Sequence, residues 1–419
     1  MNKQFFINNR EKYLNLVESD AVTILSSGFT QYKTADQEHE FVVNNNFYYL
    51  TGVDQDNVTL FLARVDGKRK EYLFIDENDE TLTKWVGRKL TKEEVSELSG
   101  VAIDNVLYNS ELDTQLNQVF QMSRKSWGVF TKCYLDLEQR NLKYFTNFGL
   151  ETSKWLREKF PAIIIKNAYQ PIISLRAIKN DVEVELIKQS LDTTRLGIEA
   201  MLKQSKPGIH EYELKSHFDF ALSKANKRHS FDLIAASGIN AVTLHYVKND
   251  DVLKDGDLIL FDLGCYTNHY ASDISRTFPV NGTFTKRQKE VYEAVLRVNK
   301  QCIEFVKEGI TWSELNQYAK GLLAKECIQL GLIKDEAFVS QYYYHSVSHS
   351  LGLDVHDPAL YTDKIMAGVV LTIEPGLYIA EEGIGVRIED NILVTKDGRI
   401  NLSKDIVKEV KDIERLMAK

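Results

Sequence analysis

The stretch "YYYHSVSHSLGLDVHD" (342–357) sets three imidazoles, His345, His349 and His356, within twelve residues. They are ligands, acid–base groups, or polar residues that happen to fall close together. On a helix, His345 and His349 at i, i+4 would share one face, as in a zinc peptidase. That motif needs a glutamate directly after the first histidine, and Ser346 stands there. The run of Ser, Val and Gly also favours strand or loop over helix. A zincin site is therefore excluded.

Carboxylates on either side of the histidines are more informative. In "DLILFDLGCYTNHYASDISRTF" (257–278) an apolar run ends at Asp262, a polar turn follows, and a second run passes through Asp273. A hairpin turning at Thr267 and Asn268 sets the two aspartates directly opposite each other, with Cβ atoms roughly 5 Å apart on one face. Like charges that close are unfavourable unless a cation lies between them. The alternative, one Asp in a turn and the other solvated, fits poorly beside so apolar a strand. Further on, "VVLTIEPGLYI" (369–379) ends a nearly continuous apolar strand at Glu374, and "GIGVRIEDNILV" (383–394) carries Arg387 and Glu389 on one face of another. A carboxylate closing a buried strand is rarely fully buried without a partner or a metal. For Glu389 an ion pair with Arg387 is the plainer alternative, because residues two apart in a strand share a face.

Asp262, Asp273, Glu374 and Glu389 offer four hard oxygen donors, and one of the clustered histidines completes the set. Such a site suits Mn(II), Fe(II), Co(II) or Zn(II) better than a thiolate-seeking ion. Four carboxylates also exceed the charge of one divalent ion. Two ions roughly 3.5–4 Å apart, bridged by carboxylates, would balance the site and hold a hydroxide between them.

A chain of 419 residues exceeds what one core usually spans, so two domains are expected. Near the amino end, apolar runs such as "AVTIL" (21–25), "VTLFLARV" (58–65) and "EYLFID" (71–76) alternate with helix-like segments such as "TKEEVSELSG" (91–100), the mark of an α/β domain. In "FPAIIIKNAYQPIISLRAIKN" (160–180) a strand, then Pro171, then a polar stretch are expected, dividing domains 1–173 and 174–419. A helix follows from Asp181 over "DVEVELIKQSLDTTRLGIEAMLKQ", with apolar residues at three-and-four spacing and an acidic first turn. "KPGIHEYEL" (206–214) and "KEGITWSEL" (307–315), 101 residues apart, share K-x-G-I and a closing E-L. Each follows one amphipathic helix, the second beginning near Thr285, and opens another. That repeat implies a pseudo-symmetric domain with a pocket between its halves.

Composition excludes several functions. A net charge of −8 with no basic stripe argues against a nucleic-acid surface, leaving small molecules or peptides as partners. "MNKQFFINNREKYLNL" is interrupted by polar residues before any signal peptide or membrane span could form, so a cytoplasmic protein is expected. Cys133, Cys265, Cys302 and Cys327 form no C-x-x-C pair and read as buried thiols.

In this order, the motifs resemble the methionine-aminopeptidase-type "pita-bread" metallopeptidases, in the aminopeptidase P and prolidase branch. "HSVSHSLGLDVHD" (345–357) matches the branch signature, with the ligand His in the middle of an H-x-L-G-L-x-V-H-D pattern. "ASGINAVTLHYVKND" (236–250) resembles the segment carrying an upstream active-site histidine, here His245. The two-Asp hairpin and the two Glu strands match as well. "NNNFYYLTGV" (44–53) and "WVGRKLTKEE" (85–94) are similar to the amino-terminal domain of aminopeptidase P. Departures are Ser346 where Gly is common, "DPALY" (357–361) and "GVV" (368–370).

The resemblance implies an α/β (α+β) fold, with an N-terminal α/β domain before a pseudo-symmetric pita-bread catalytic domain. It implies Asp262, Asp273, His349, Glu374 and Glu389 as ligands of two divalent ions, Mn2+ first, with Co2+, Fe2+ or Zn2+ as alternatives. His245, His345 and His356 would line the substrate side as acid–base or hydrogen-bonding groups, His245 and His356 binding the oxyanion or the proline. Glu374 would also hold or deprotonate the bridging water, and Arg387 and Tyr378 would orient Glu389 and the pocket wall, Tyr378 on the substrate side. The implied reaction removes the first residue from peptides with proline second. Alternatives are an Xaa–Pro dipeptidase, a metal-free creatinase-like hydrolase and an inactive binding module. Relatives of this kind are often homodimers or tetramers.

Overall fold

The apolar runs near the amino end become neighbours in one six-stranded sheet. The computed structural model describes residues 1–65, 67–121, 129–139, 147–361 and 363–418. The chain divides into two units, Met1–Arg176 and Ala177–Lys419.

In the first unit the strand order is Val106–Tyr108, Lys68–Ile75, Thr59–Val65, Ala21–Ser26, Lys132–Leu135, Ile164–Asn167. The three central strands pair antiparallel and the outer ones join in parallel. Parallel neighbours need crossover helices. One of these is Lys92–Ser99, started by a Thr91–Glu94 capping box and ended by Gly100 in the left-handed region. Arg10, fully buried, binds three elements to its own helix: it donates to Glu71 Oε2 (2.7 Å), Leu50 O (2.7 Å) and Ser99 O (2.9 Å). The polar stretch expected after Pro171 is instead a helix, Tyr169–Arg176. Pro171 sits in its first turn, where the missing N–H has no intrahelical partner to lose.

The second unit opens with the helix Asp181–Gln204, capped by Asn180, whose side chain accepts from the backbone of Val182 and Glu183. The two repeat segments then fold alike. Gly208 and Gly309 share φ +91°, a region that favours glycine. Gly208 N donates to Leu253 O and Gly309 N to Ile365 O, both at 2.8 Å. In return Leu253 N donates to Ile209 O and Ile365 N to Ile310 O, again at 2.8 Å. The helices that follow are Glu211–Lys224 and Trp312–Gln329.

Each half also contributes a sheet. Leu258–Leu263 lies between Ile274–Pro279 and Ile234–Ser237, while Asp390–Thr395 lies between Val370–Ile373 and Gly398–Asn401. The halves are joined where the carboxylates gather. Glu389 N donates to Ser275 O (3.0 Å), and the Asn391 side chain both accepts from Asp273 N (3.2 Å) and donates to Asp273 O (2.6 Å). Among the described residues no helix is long and apolar enough to cross a membrane.

Two expectations are corrected here. Asp262 faces Ser275, not Asp273, because Thr267 pairs with Tyr270 and the turn is Asn268–His269. Both turn residues have positive φ, 46° and 68°, as a two-residue hairpin turn of type I′ requires. Moving the turn by one residue moves the partner by two, so parity is kept and the aspartates remain on one face as diagonal neighbours. Second, 383–394 is not one strand. Ile384–Arg387 pairs with Gly376–Ile379, Asp390–Thr395 pairs with Val370–Ile373, and Glu389 stands in the break where the chain changes partner.

Candidate active site

The strand ends of the two halves converge on a cavity of about 400 Å³. Asp262, Asp273, Glu374 and Glu389 line it with Arg387, His245, His345, His349 and His356. Leu244, Ser348 and Tyr361 add walls that the sequence did not point to. Tyr378, expected to touch substrate, is buried behind His345 and is not among the lining residues.

Ligand-type atoms of Asp262, Asp273 and Glu389 lie within 4.8 Å of one another, and so do those of His349, Glu374 and Glu389. A third such group joins Asp273 and His349 to His356. Asp262 Oδ1 and Glu389 Oε1 are buried and accept no hydrogen bond from any of the described residues. Leaving a buried acceptor without a partner costs about 1–3 kcal/mol, more when it is charged. Divalent cations held by Asp262 and Glu389 would remove that cost, so the donor set fits the ions that the composition of the site calls for.

The second oxygen of each carboxylate is occupied. Arg387, 3% exposed, donates through Nη2 to Asp262 Oδ2 (2.6 Å), through Nη1 to Tyr378 Oη (3.1 Å) and through Nε to Ser275 Oγ (2.7 Å). Ser275 Oγ donates in turn to Glu389 Oε2 at 2.8 Å. Arg387 is therefore paired with Asp262 and reaches Glu389 only through Ser275, so the ion pair with Glu389 considered from sequence is not formed.

His349 is not on a helix, and its two nitrogens differ. Nδ1 lies 3.1 Å from Ser350 O, while Nε2 lies 3.4 Å from Asp273 Oδ2 and 3.5 Å from Glu374 Oε1. With Nδ1–H donated to the carbonyl, the Nε2 lone pair faces the carboxylates, as a metal ligand must. His345 has both nitrogens engaged, Nδ1 with Ser346 O and Nε2 with Tyr378 Oη, each at 2.8 Å. Burial, reinforced by the Arg387 charge, pushes its pKa down to about 4 and keeps it neutral. His356 packs its ring 4.1 Å from that of His349.

Crowded, buried carboxylates resist ionisation. Burial and then the Asp262 charge raise Asp273 to about 6, and burial above all raises Glu374 to about 7. Glu389 is pushed well above the carboxylate range by burial and by Asp273. For His349 burial works against charge, yet Asp273 and Glu374 outweigh it and lift the imidazole to about 9. Divalent cations held here would invert this balance and favour the ionised carboxylates.

Several supporting residues were missed from sequence. Thr372 Oγ1 accepts from His349 N (3.1 Å) and donates to Glu374 Oε1 (3.4 Å). Lys179 and Asp357, each with a side chain 1% exposed, pair at 2.9 Å beneath the His349–His356 loop. Arg276 donates to the Glu389 carbonyl and to Asp390 Oδ1, and Lys408 closes the buried Asp390 pair. The available signal was an acid directly after a predicted functional residue, in His356–Asp357 and Glu389–Asp390.

Residues 185–396 match metallopeptidase family M24, and residues 6–129 match the aminopeptidase P N-terminal domain. This chain belongs to metallopeptidase family M24. An Xaa-Pro aminopeptidase of Haemophilus influenzae is 32% identical and spans 99% of this chain and 97% of its own length. A solved chain from Bacillus anthracis, assigned to aminopeptidase P, is 44% identical with a TM-score of 0.96, covering 100% of this chain and 98% of that one. Aminopeptidase P from Escherichia coli, solved with the inhibitor Pro-Leu, is 29% identical with a TM-score of 0.90 and the same coverage.

Proposed function

We propose that the chain is an Xaa-Pro aminopeptidase that hydrolyses the bond between the first residue of a peptide and a proline in second position. The observation that carries the metal chemistry is the pair of open, buried oxygens on Asp262 and Glu389 inside the carboxylate cluster. Full-length similarity to Xaa-Pro aminopeptidases, amino-terminal unit included, supports the proline specificity and favours the aminopeptidase over the dipeptidase.

Asp262, Asp273, His349, Glu374 and Glu389 would hold two divalent ions, Mn2+ being the first choice for an oxygen-rich set with one imidazole. When bound, these ions supply Lewis acidity that makes water nucleophilic at neutral pH and polarises the scissile carbonyl. Glu374, at the cavity wall, takes up the proton of the attacking water. His245 and His356 donate hydrogen bonds to the developing oxyanion or hold the proline side, with oriented donors there favouring the transition state. His345, neutral and bound to Tyr378, stiffens the wall and takes no proton.

The substrate bond is a tertiary amide without an N–H, so a peptidase that reads an extended backbone loses a hydrogen bond at this position. A site that grips the ring and the free amine does not depend on that bond. The departing proline nitrogen must gain a proton, because a dialkylamide anion is too basic to leave. Association into homodimers or tetramers belongs to the same proposal, supported by the resemblance to relatives and checked by light scattering.

The test compares an Xaa–Pro dipeptide with the tripeptide that extends it by one residue, in the presence of Mn2+. Faster cleavage of the tripeptide is expected; cleavage of the dipeptide alone would make the chain a dipeptidase.

A further inference from the structure

Glu211, the first residue of the helix Glu211–Lys224, is completely buried. Its Oε1 accepts from Ser237 N and Ser237 Oγ, both at 2.7 Å, and from Asn240 Nδ2 at 3.2 Å. Its Oε2 accepts from Tyr246 Oη at 3.0 Å and from Asp251 N at 3.1 Å. Every one of these donors lies in residues 237–251, the segment that carries Leu244 and His245 to the cavity wall. A buried carboxylate is tolerable only when fully hydrogen-bonded, and the first turn of a helix adds favourable partial charge.

No regular strand or helix holds His245 itself. The segment runs as a single 3₁₀ turn, Gly238–Val242, and then irregularly. Its course is set by side chains: Tyr344 Oη donates to Val242 O at 2.6 Å, and Asn249 accepts from Ala235 N at 2.7 Å. Glu211 holds the middle, gripping Tyr246, the immediate neighbour of His245. The matching position of the second repeat is Trp312, which packs its ring 4.9 Å from that of Tyr361. Tyr361 lines the same cavity and accepts from Ser350 N at 3.2 Å. The residue that opens each repeat helix thus braces one wall of the pocket.

We propose that Glu211 is a positioning residue that fixes His245 on the substrate side of the cavity, an inference that rests on the peptidase reading above. The experiment measures kcat, KM and bound Mn2+ for Glu211→Gln and Tyr246→Phe, each alone and combined with His245→Ala, on an Xaa–Pro–Xaa tripeptide. Glu211→Gln is expected to lower kcat about tenfold to a hundredfold, as misplacement of a catalytic group does. KM and metal content should hold, and in the His245→Ala background the loss should shrink to less than about twofold, the signature of coupled residues. Equal losses in both backgrounds, loss of metal, or unchanged kcat would overturn the proposal. Should Glu211→Gln not fold, Tyr246→Phe decides in the same way, a drop confined to the His245 background supporting the proposal and unchanged kcat overturning it. If His245→Ala alone leaves kcat intact, the role given to His245 falls; if His245→Ala is impaired and Glu211→Gln is not, only the positioning role falls.

Discussion

Arg387 donates in three directions at once, so Asp262, Tyr378 and Ser275 are held by one rigid guanidinium, and one oxygen of Asp262 stays open towards the cavity. The histidines divide by what their nitrogens already bind. His349 turns a nitrogen to the carboxylates, whereas His356 lies close enough to Asp273 and His349 to compete for a ligand place. His356→Ala separates the roles. It should retain both ions and lower turnover about a hundredfold, the usual contribution of a hydrogen-bonding or acid–base histidine. Loss of metal from that variant would make His356 a ligand.

The raised acid pKa values give a second test. Between the ordinary carboxylate range near 4 and the folded values of about 6 for Asp273 and 7 for Glu374, the ion-free folded state binds more protons than the unfolded chain. Its stability therefore falls as pH rises through that window. Ion binding requires the ionised carboxylates and neutral His349, so it expels those protons and tightens with rising pH. Calorimetric titration of Mn2+ at pH 6 in buffers of differing ionisation enthalpy should show release of about two to three protons per chain, from Asp273, Glu374, His349 and Glu389 together. No release would mean that the cluster is already ionised. The four carboxylates were legible because they stand in or at the end of apolar runs, where a bare charge is unfavourable, whereas His349 was singled out from its neighbouring histidines only by the family resemblance. Ser275, Thr372 and Asn391 were not, because they act by hydrogen bonds made mostly to residues far away in the chain.

Hairpins and repeats show where sequence patterns are strong and where they slip. Apolar periodicity marked the helix Asp181–Gln204, and the shared K-x-G-I marked two equivalent turns, because glycine at φ +91° is demanded by backbone shape. The Asp262–Asp273 register was missed by a turn residue, since Thr267–Asn268 and Asn268–His269 are equally polar and only backbone dihedrals distinguish them. The break at Glu389 was missed because both parts of 383–394 are apolar. Gly264 in the same hairpin is fixed more tightly than any pattern reveals: a Cβ there would stand 1.9 Å from Ser272 O, the residue before Asp273. Gly264→Ala should part the strands, destabilise the protein by about 1–3 kcal/mol and weaken Mn2+ binding. Thermal melting with and without Mn2+ checks this, and an unchanged midpoint with full metal content would show that the hairpin yields freely.

Across the whole chain, the two units should depend differently on the ions. Sheet strands of the first unit are held by apolar packing and by Arg10, whereas the two sheets of the second unit meet at carboxylates that repel until neutralised. An ion at a thousand times its dissociation constant stabilises the folded state by about 4 kcal/mol. Hydrogen–deuterium exchange after chelation should therefore rise in 258–279 and 370–395 and stay level in 21–26 and 59–75. A uniform rise would mean that the ions support the entire chain.

The decisive measurement is hydrolysis of an Xaa–Pro–Xaa tripeptide by protein stripped with a chelator and then given single divalent ions. Cleavage at the Xaa–Pro bond should vanish on chelation and return with about two equivalents of Mn2+ per chain, in step with metal occupancy. Undiminished cleavage by the stripped protein, or none after full reloading, would contradict a paired-ion peptidase.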